Sequence, residues 1–158
     1  MNHKNRRNKK ALPHLSIIQW NARSLLKVRL EEFREYLHEF NRTIVLLSET
    51  LWKKNRALSF KCYSTVRNDR TERAGGGVAI LVHKSVYFSS ITLPPTPTIE
   101  TIGISIASKN DPIDIVSAYC PLGNCADEEF KSIFESLQNN FIVGEDFNGH
   151  HELWEKNY

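Results

Sequence analysis

Long apolar runs are missing from this 158-residue sequence. The longest, at 44–47 and 78–82, fall far short of the roughly 20 residues that a membrane-spanning helix needs, and the N-terminus is too polar for a secretory signal. Both absences point to an intracellular protein with no membrane partner. Cysteine is scarce: Cys62, Cys120 and Cys125 form an odd set, and the one close pair, C-x4-C, has no second pair to complete a zinc site. Reduced thiols are the expectation. The run Gly75-Gly76-Gly77 leads into Val78-Ala79-Ile80, without the Lys-Ser/Thr of a phosphate-cradling P-loop. It reads as a turn into a strand. "HHELWE", residues 150–155, lacks the second histidine that an H-E-x-x-H zinc helix requires. Acid is absent from the first ten positions, MNHKNRRNKK, which hold five Lys and Arg. The formal net charge of +3 therefore belongs to a basic arm over 1–14, and the remainder is slightly acidic. Such an arm is a solvated tail, a contact for nucleic acid or a nuclear address.

What is present suffices for one domain over 15–158. Hydrophobic residues make up 41% of the chain and aromatics 10%, enough to build a core. Residues 15–20 form a short β-branched run, read as a strand ending at Asn21. Over 26–40, Leu26, Leu30, Phe33, Leu37 and Phe40 recur at three- and four-residue steps, which predicts an amphipathic helix. A strand over 43–48 follows and ends at Glu49, giving a strand–helix–strand start to an α/β layered fold. Strands over 62–66, 77–82, 99–107 and 113–118 come next and are expected to form a meander in one mixed sheet. Pro94-Pro95-Thr96-Pro97 marks a surface connection, because proline cannot sit inside a sheet. A second helix is predicted over 127–139, with Asp127 as cap, and a last strand over 141–144.

Four apolar runs end in groups suited to chemistry: Asn21, Glu49, Tyr119, and the pair Asp146 and Asn148. Strand ends at one edge of an α/β sheet are where side chains from distant positions converge on a ligand. Oxygen donors from Asn, Glu and Asp suit a hard cation such as Mg²⁺, which keeps waters and shares itself with phosphates. Taken singly, each residue also has a structural explanation: Asn21 as a helix cap, Glu49 as a solvated edge charge, Tyr119 as a core residue with a satisfied hydroxyl.

The motifs "IIQWNARSL", "LLSETLW", "GGGVAILV", "VSAYCPLGN" and "GEDFNGHHELW" occur in that order. Together they resemble the endonuclease/exonuclease/phosphatase superfamily, and within it the apurinic-type endonuclease domain of non-LTR retrotransposons. The resemblance implies a layered α/β sandwich of two mixed sheets packed face to face with outer helices. It also implies that Asn21 and Glu49 help to hold a divalent metal, Mg²⁺ or Mn²⁺, and that Tyr119 contacts the scissile phosphate. Asp146 would orient or activate the attacking water and Asn148 would hydrogen-bond the phosphate. Arg23, His150 and His151 lie within the matching motifs and receive no assigned role. Glu145 stands where the family usually has a second glycine, and strand alternation points it away from Asp146. Family members continue through further strands to a Ser-Asp-His motif, so the second sheet is expected to be largely missing from this chain, one sheet face to lie open, and the chain to aggregate.

Between Lys53 and Arg73 there are seven Lys/Arg against Asp69 and Glu72. Lys53, Lys54, Arg56, Arg67, Arg70 and Arg73 are read as a patch neutralising DNA phosphates, with a solvated loop as the alternative. The expected function is a metal-dependent DNA endonuclease that nicks a target strand for retrotransposition, in the nucleus, alongside the reverse transcriptase domain of a full-length element. The alternatives are an inactive retroelement remnant that at most binds nucleic acid, and a phosphatase of the same superfamily.

Overall fold

The strand pattern resolves into two sheets rather than one. A computed structural model describes residues 15–72, 74–108, 111–121 and 125–146. The first sheet holds β1 (Ile17–Asn21), β2 (Ile44–Ser48), β3 (Tyr63–Asn68) and β4 (Val78–His83) in the order β1-β2-β4-β3. The second holds β5 (Phe88–Ile91), β6 (Glu100–Ile106), β7 (Ile113–Tyr119) and β8 (Asn140–Asp146) in the order β5-β6-β7-β8. Each sheet has one parallel pair and is otherwise antiparallel. Helix α1 (Val28–Phe40) connects the parallel strands β1 and β2, and α2 (Asp127–Ser136) connects the parallel strands β7 and β8.

Side-chain alternation explains the layering. Ile44 and Leu46 of β2 and Ile80 and Val82 of β4 point to one side, where they meet Ile104, Ile106 and Ile115 of the second sheet. Their neighbours Val45, Leu47, Ala79 and Leu81 point to the other side and pack against Leu30, Phe33 and Leu37 of α1. On the second sheet, Val116 and Ala118 face outward and are covered by Ile133 of α2. The result is helix, sheet, sheet, helix. At about 1.5–3 kcal/mol for each fully buried Ile, Leu or Val, the inter-sheet layer is a principal source of stability.

Two expectations are corrected here. The second sheet is not largely missing: it has four strands, and they cover the inner face of the first. Nor do the strands after β4 continue one meander, because the chain crosses to the opposite layer between His83 and Phe88. A further element, β5, has no counterpart among the expected strands. Its sequence FSSI is short and half polar, as suits an edge strand with one side in water. The N-cap of α2 is Ala126 rather than Asp127, and Glu129 accepts a hydrogen bond from the Ala126 N–H at 3.3 Å. Helix α1 begins two residues later than its apolar periodicity suggests. Leu25 is drawn into the core instead, with its N–H bonded to the Thr50 carbonyl at 3.1 Å.

Candidate active site

The C-terminal ends of both parallel pairs lie at the same edge of the sandwich. Asn21 stands opposite Ser48 in the β1–β2 register, one residue before Glu49, and Tyr119 stands opposite Asp146 in the β7–β8 register. Strands β1 and β8 are stacked across the seam, as are β2 and β7. Four residues spread over most of the chain are thereby drawn together. The Asn21 amide donates to Glu49 Oε1 at 2.8 Å and also to Asp146 Oδ2. Tyr119 lies close enough to Glu49 and Asp146 for both carboxylates to act on its phenol.

Backbone geometry holds this cluster. The Arg23 N–H donates to Asn21 Oδ1 at 3.0 Å, which orients the amide so that its NH₂ faces the two carboxylates. Glu49 has φ of 51° and Leu51 of 56°, a left-handed conformation that costs energy in residues other than glycine and gathers at functional sites. It is locked by hydrogen bonds from Thr50 N–H to the Gly77 carbonyl, at 3.1 Å, and from Leu51 N–H to the Gly76 carbonyl, at 2.9 Å. Burial pushes the Tyr119 phenol up to about 12, the Glu49 carboxylate reinforces this, and the Arg70 guanidinium opposes it. The hydroxyl is a hydrogen-bond donor throughout the neutral range.

Among the described residues, no three His, Cys, Asp or Glu side chains gather as a metal cage. The groups that do meet are the Glu49 and Asp146 carboxylates, which offer oxygen, and the Asn21 amide, whose NH₂ faces them while its oxygen accepts the Arg23 N–H. That set fits Mg²⁺, which is commonly held by one or two carboxylates together with waters and substrate phosphate.

The basic patch divides in two. Lys53 and Lys54 are exposed and Arg56 is half-buried. Arg67 is spent internally: its Nη2 donates to the carbonyls of Lys53, Lys54 and Arg56 at 3.2, 3.3 and 3.0 Å. Its Nε pairs with Asp69 at 3.1 Å, and it lies over the buried Trp52 ring. Arg70 is likewise enclosed, in an ion pair with Glu100. Charge counting along the sequence could not separate displayed cations from enclosed ones. The Arg23 carbonyl accepts from Arg29. Arg73, Asn148, His150 and His151 lie outside the described residues.

The expectation of reduced thiols is also corrected. Cys120 and Cys125 form a disulfide, with Cα atoms 6.1 Å apart, and Cys62 is free. The disulfide begins at the residue after Tyr119, and the Cys120 N–H donates to the Asp146 carbonyl at 3.3 Å.

Residues 113–158 match the family model described as endonuclease-reverse transcriptase. The chain is 31% identical, over 144 residues, to the probable RNA-directed DNA polymerase from transposon X-element of Drosophila melanogaster. That match takes in 89% of this chain and 16% of the relative. With the RNA-directed DNA polymerase from mobile element jockey of Drosophila funebris it shares 29% identity over 149 residues, covering 90% and 16%. Among solved structures it superposes on the endonuclease domain of TRAS1, a telomere-specific non-LTR retrotransposon, with a TM-score of 0.67 at 18% identity, covering 90% of this chain and 64% of that one. In fold the chain is similar to the endonuclease domain of a non-LTR retrotransposon. Its fold is shared with the AP endonuclease LMAP from Leishmania major, TM-score 0.65 at 16% identity, over 85% of this chain and 55% of that one. The chain spans about a sixth of the length of the transposon proteins it matches, 16% in each case.

Proposed function

We propose that this chain carries the catalytic edge of a divalent-metal-dependent DNA endonuclease, one that nicks a target strand in chromosomal DNA within the nucleus for a retroelement. The observation that carries this reading is the Asn21 amide bridging Glu49 of one sheet and Asp146 of the other. Such convergence of carboxylates with a phenol donor suits phosphodiester hydrolysis better than any structural need at a solvent-facing edge.

Glu49 would hold Mg²⁺ or Mn²⁺, joined by Asn21 once its amide turns its oxygen from the Arg23 N–H toward the cation. The bound cation supplies Lewis-acid polarisation of a phosphoryl oxygen. Asp146, fixed by the Asn21 amide, positions and deprotonates the attacking water. Tyr119 remains protonated and donates its hydroxyl to a phosphoryl oxygen as charge develops there. Lys53, Lys54 and Arg56 sit beyond the Glu49 turn, where they neutralise flanking backbone phosphates. The resemblance adds Asn148 as a further phosphate donor, and a reverse transcriptase domain as the partner in a full-length element.

The deciding experiment incubates the purified chain with supercoiled plasmid in Mg²⁺, with and without EDTA, beside Asp146→Ala. Metal-dependent nicking lost in Asp146→Ala while binding persists is the expected result. Salt-sensitive binding with no nicking would instead identify a remnant that only holds DNA. Release of phosphate from monoesters without plasmid nicking would identify a phosphatase.

A further inference from the structure

The glycine run at 75–77 is more than a turn into β4. Gly76 has φ of +71°, and a Cβ built there would collide with the Arg70 guanidinium. At Gly75 an added Cβ would touch Arg70 Nη1 at 3.7 Å, and at Gly77 it would press on Thr50 Oγ1 at 2.7 Å. The absence of side chains therefore makes a seat into which the guanidinium fits flat against the backbone. Its Nη1 donates to the Ala74 carbonyl at 3.4 Å.

Glu100 closes the seat from the second sheet. One carboxylate oxygen pairs with Arg70 Nε and the other accepts the Gly77 N–H at 2.6 Å. Glu100 is also the residue opposite Tyr119 in the β6–β7 register. The guanidinium carbon lies 5.8 Å from the centroid of the Tyr119 ring. Arg70 and Glu100 side chains are only 11% and 16% exposed, and Nη2 is buried with no oxygen partner. A guanidinium so enclosed is poorly placed to neutralise DNA, but its planar face suits stacking on an aromatic ring.

We propose that Arg70, seated on the glycine run and clamped by Glu100, is a positioning residue that fixes the Tyr119 ring so that its hydroxyl meets the scissile phosphate. The proposal rests on the endonuclease reading for the phosphate, but the placement of the ring is testable without it. A hydroxyl displaced by an ångström loses most of its transition-state interaction, so Arg70 acts on rate through Tyr119.

The test uses the full chain labelled with ring-¹³C tyrosine, compared as wild type, Arg70→Ala, Arg70→Lys and the double variant Arg70→Ala/Glu100→Gln. The double variant leaves no unpaired buried carboxylate, so it keeps the proposal testable if the single alanine variant fails to fold. The Tyr119 ring resonance is expected to shift in all three variants, with Tyr36 and Tyr87 unmoved. Nicking at saturating DNA is expected to fall about 10- to 100-fold in Arg70→Ala and the double variant. Lysine restores charge without the planar stack and is expected to rescue less than half of the lost rate. The salt dependence of DNA binding stays as in wild type. An unmoved Tyr119 resonance overturns the proposal, as does a salt slope reduced by about 0.9, the mark of a cation that had been neutralising a phosphate. A wild-type chain that never nicks defeats the endonuclease reading, while the Tyr119 resonance still decides whether Arg70 sets the ring.

Discussion

Ser117 of β7 donates its hydroxyl to the carbonyl of Leu47 in β2, 3.0 Å away and fully buried, so a single hydrogen bond pins one sheet to the other two residues before Tyr119. Ser117→Ala removes the donor and leaves its acceptor in the core. A loss of about 1 kcal/mol in urea unfolding is expected, along with slower nicking at unchanged DNA affinity.

Replacing Lys53, Lys54 and Arg56 together should weaken DNA binding and flatten its salt dependence by roughly 0.9 in log–log slope for each phosphate no longer neutralised. Arg67→Ala is expected to reproduce part of the weakening, because its guanidinium ties the three carbonyls of the same loop. Fluorescence anisotropy across a salt series separates the two: full slope with lower affinity for Arg67→Ala, reduced slope for the triple variant.

Glu145 faces the α2 side of β8 with both carboxylate oxygens buried and unpartnered. Burial, with the Asp146 charge adding to it, pushes its carboxyl up to about 7. The folded state therefore keeps a proton that the unfolded chain releases near the usual 4.5. Stability from this group is complete below about pH 4.5 and is lost as pH rises toward 7. Glu145→Gln should flatten the fall in melting temperature between these values. An identical pH profile in wild type and variant would refute the assignment.

The Cys120–Cys125 disulfide closes a loop with a sequence separation of 5. By the loop-entropy relation so short a loop is worth only about 2 kcal/mol. Reduction with dithiothreitol, or Cys125→Ser, is expected to lower the melting temperature by several degrees without unfolding the chain at room temperature. Calorimetry with and without reductant checks this.

How much of this was legible in the sequence depends on how far apart the interacting residues lie along the chain. The runs ending at Asn21, Glu49, Tyr119 and Asp146 were readable because strand hydrophobicity is local, and the structure brings these four ends together. The division into two sheets was implied by the family resemblance but not by the strand pattern, because the crossing after His83 resembles an ordinary hairpin connection and the edge strand FSSI carries too little apolar signal. Alternation correctly sent Glu145 away from Asp146, but no pattern in the chain says that its carboxylate would be buried. The seat of Arg70 was equally hidden: a glycine run, a nearby arginine and a glutamate from another sheet gain meaning only once they meet.

The seam between the sheets has a last consequence. Neither layer owns the whole candidate site: Asn21 and Glu49 ride on one, Tyr119 and Asp146 on the other. Under the proposed endonuclease reading, cleavage would act as a gauge of docking between the layers. Strands in a sheet are spaced about 4.8 Å apart, so a slip of even a fraction of that distance would part the Asn21 amide from Asp146. Trimming Ile44 or Ile104, deep in the inter-sheet layer and remote from the edge, should then lower the nicking rate of the proposed endonuclease well before it costs the protein its fold.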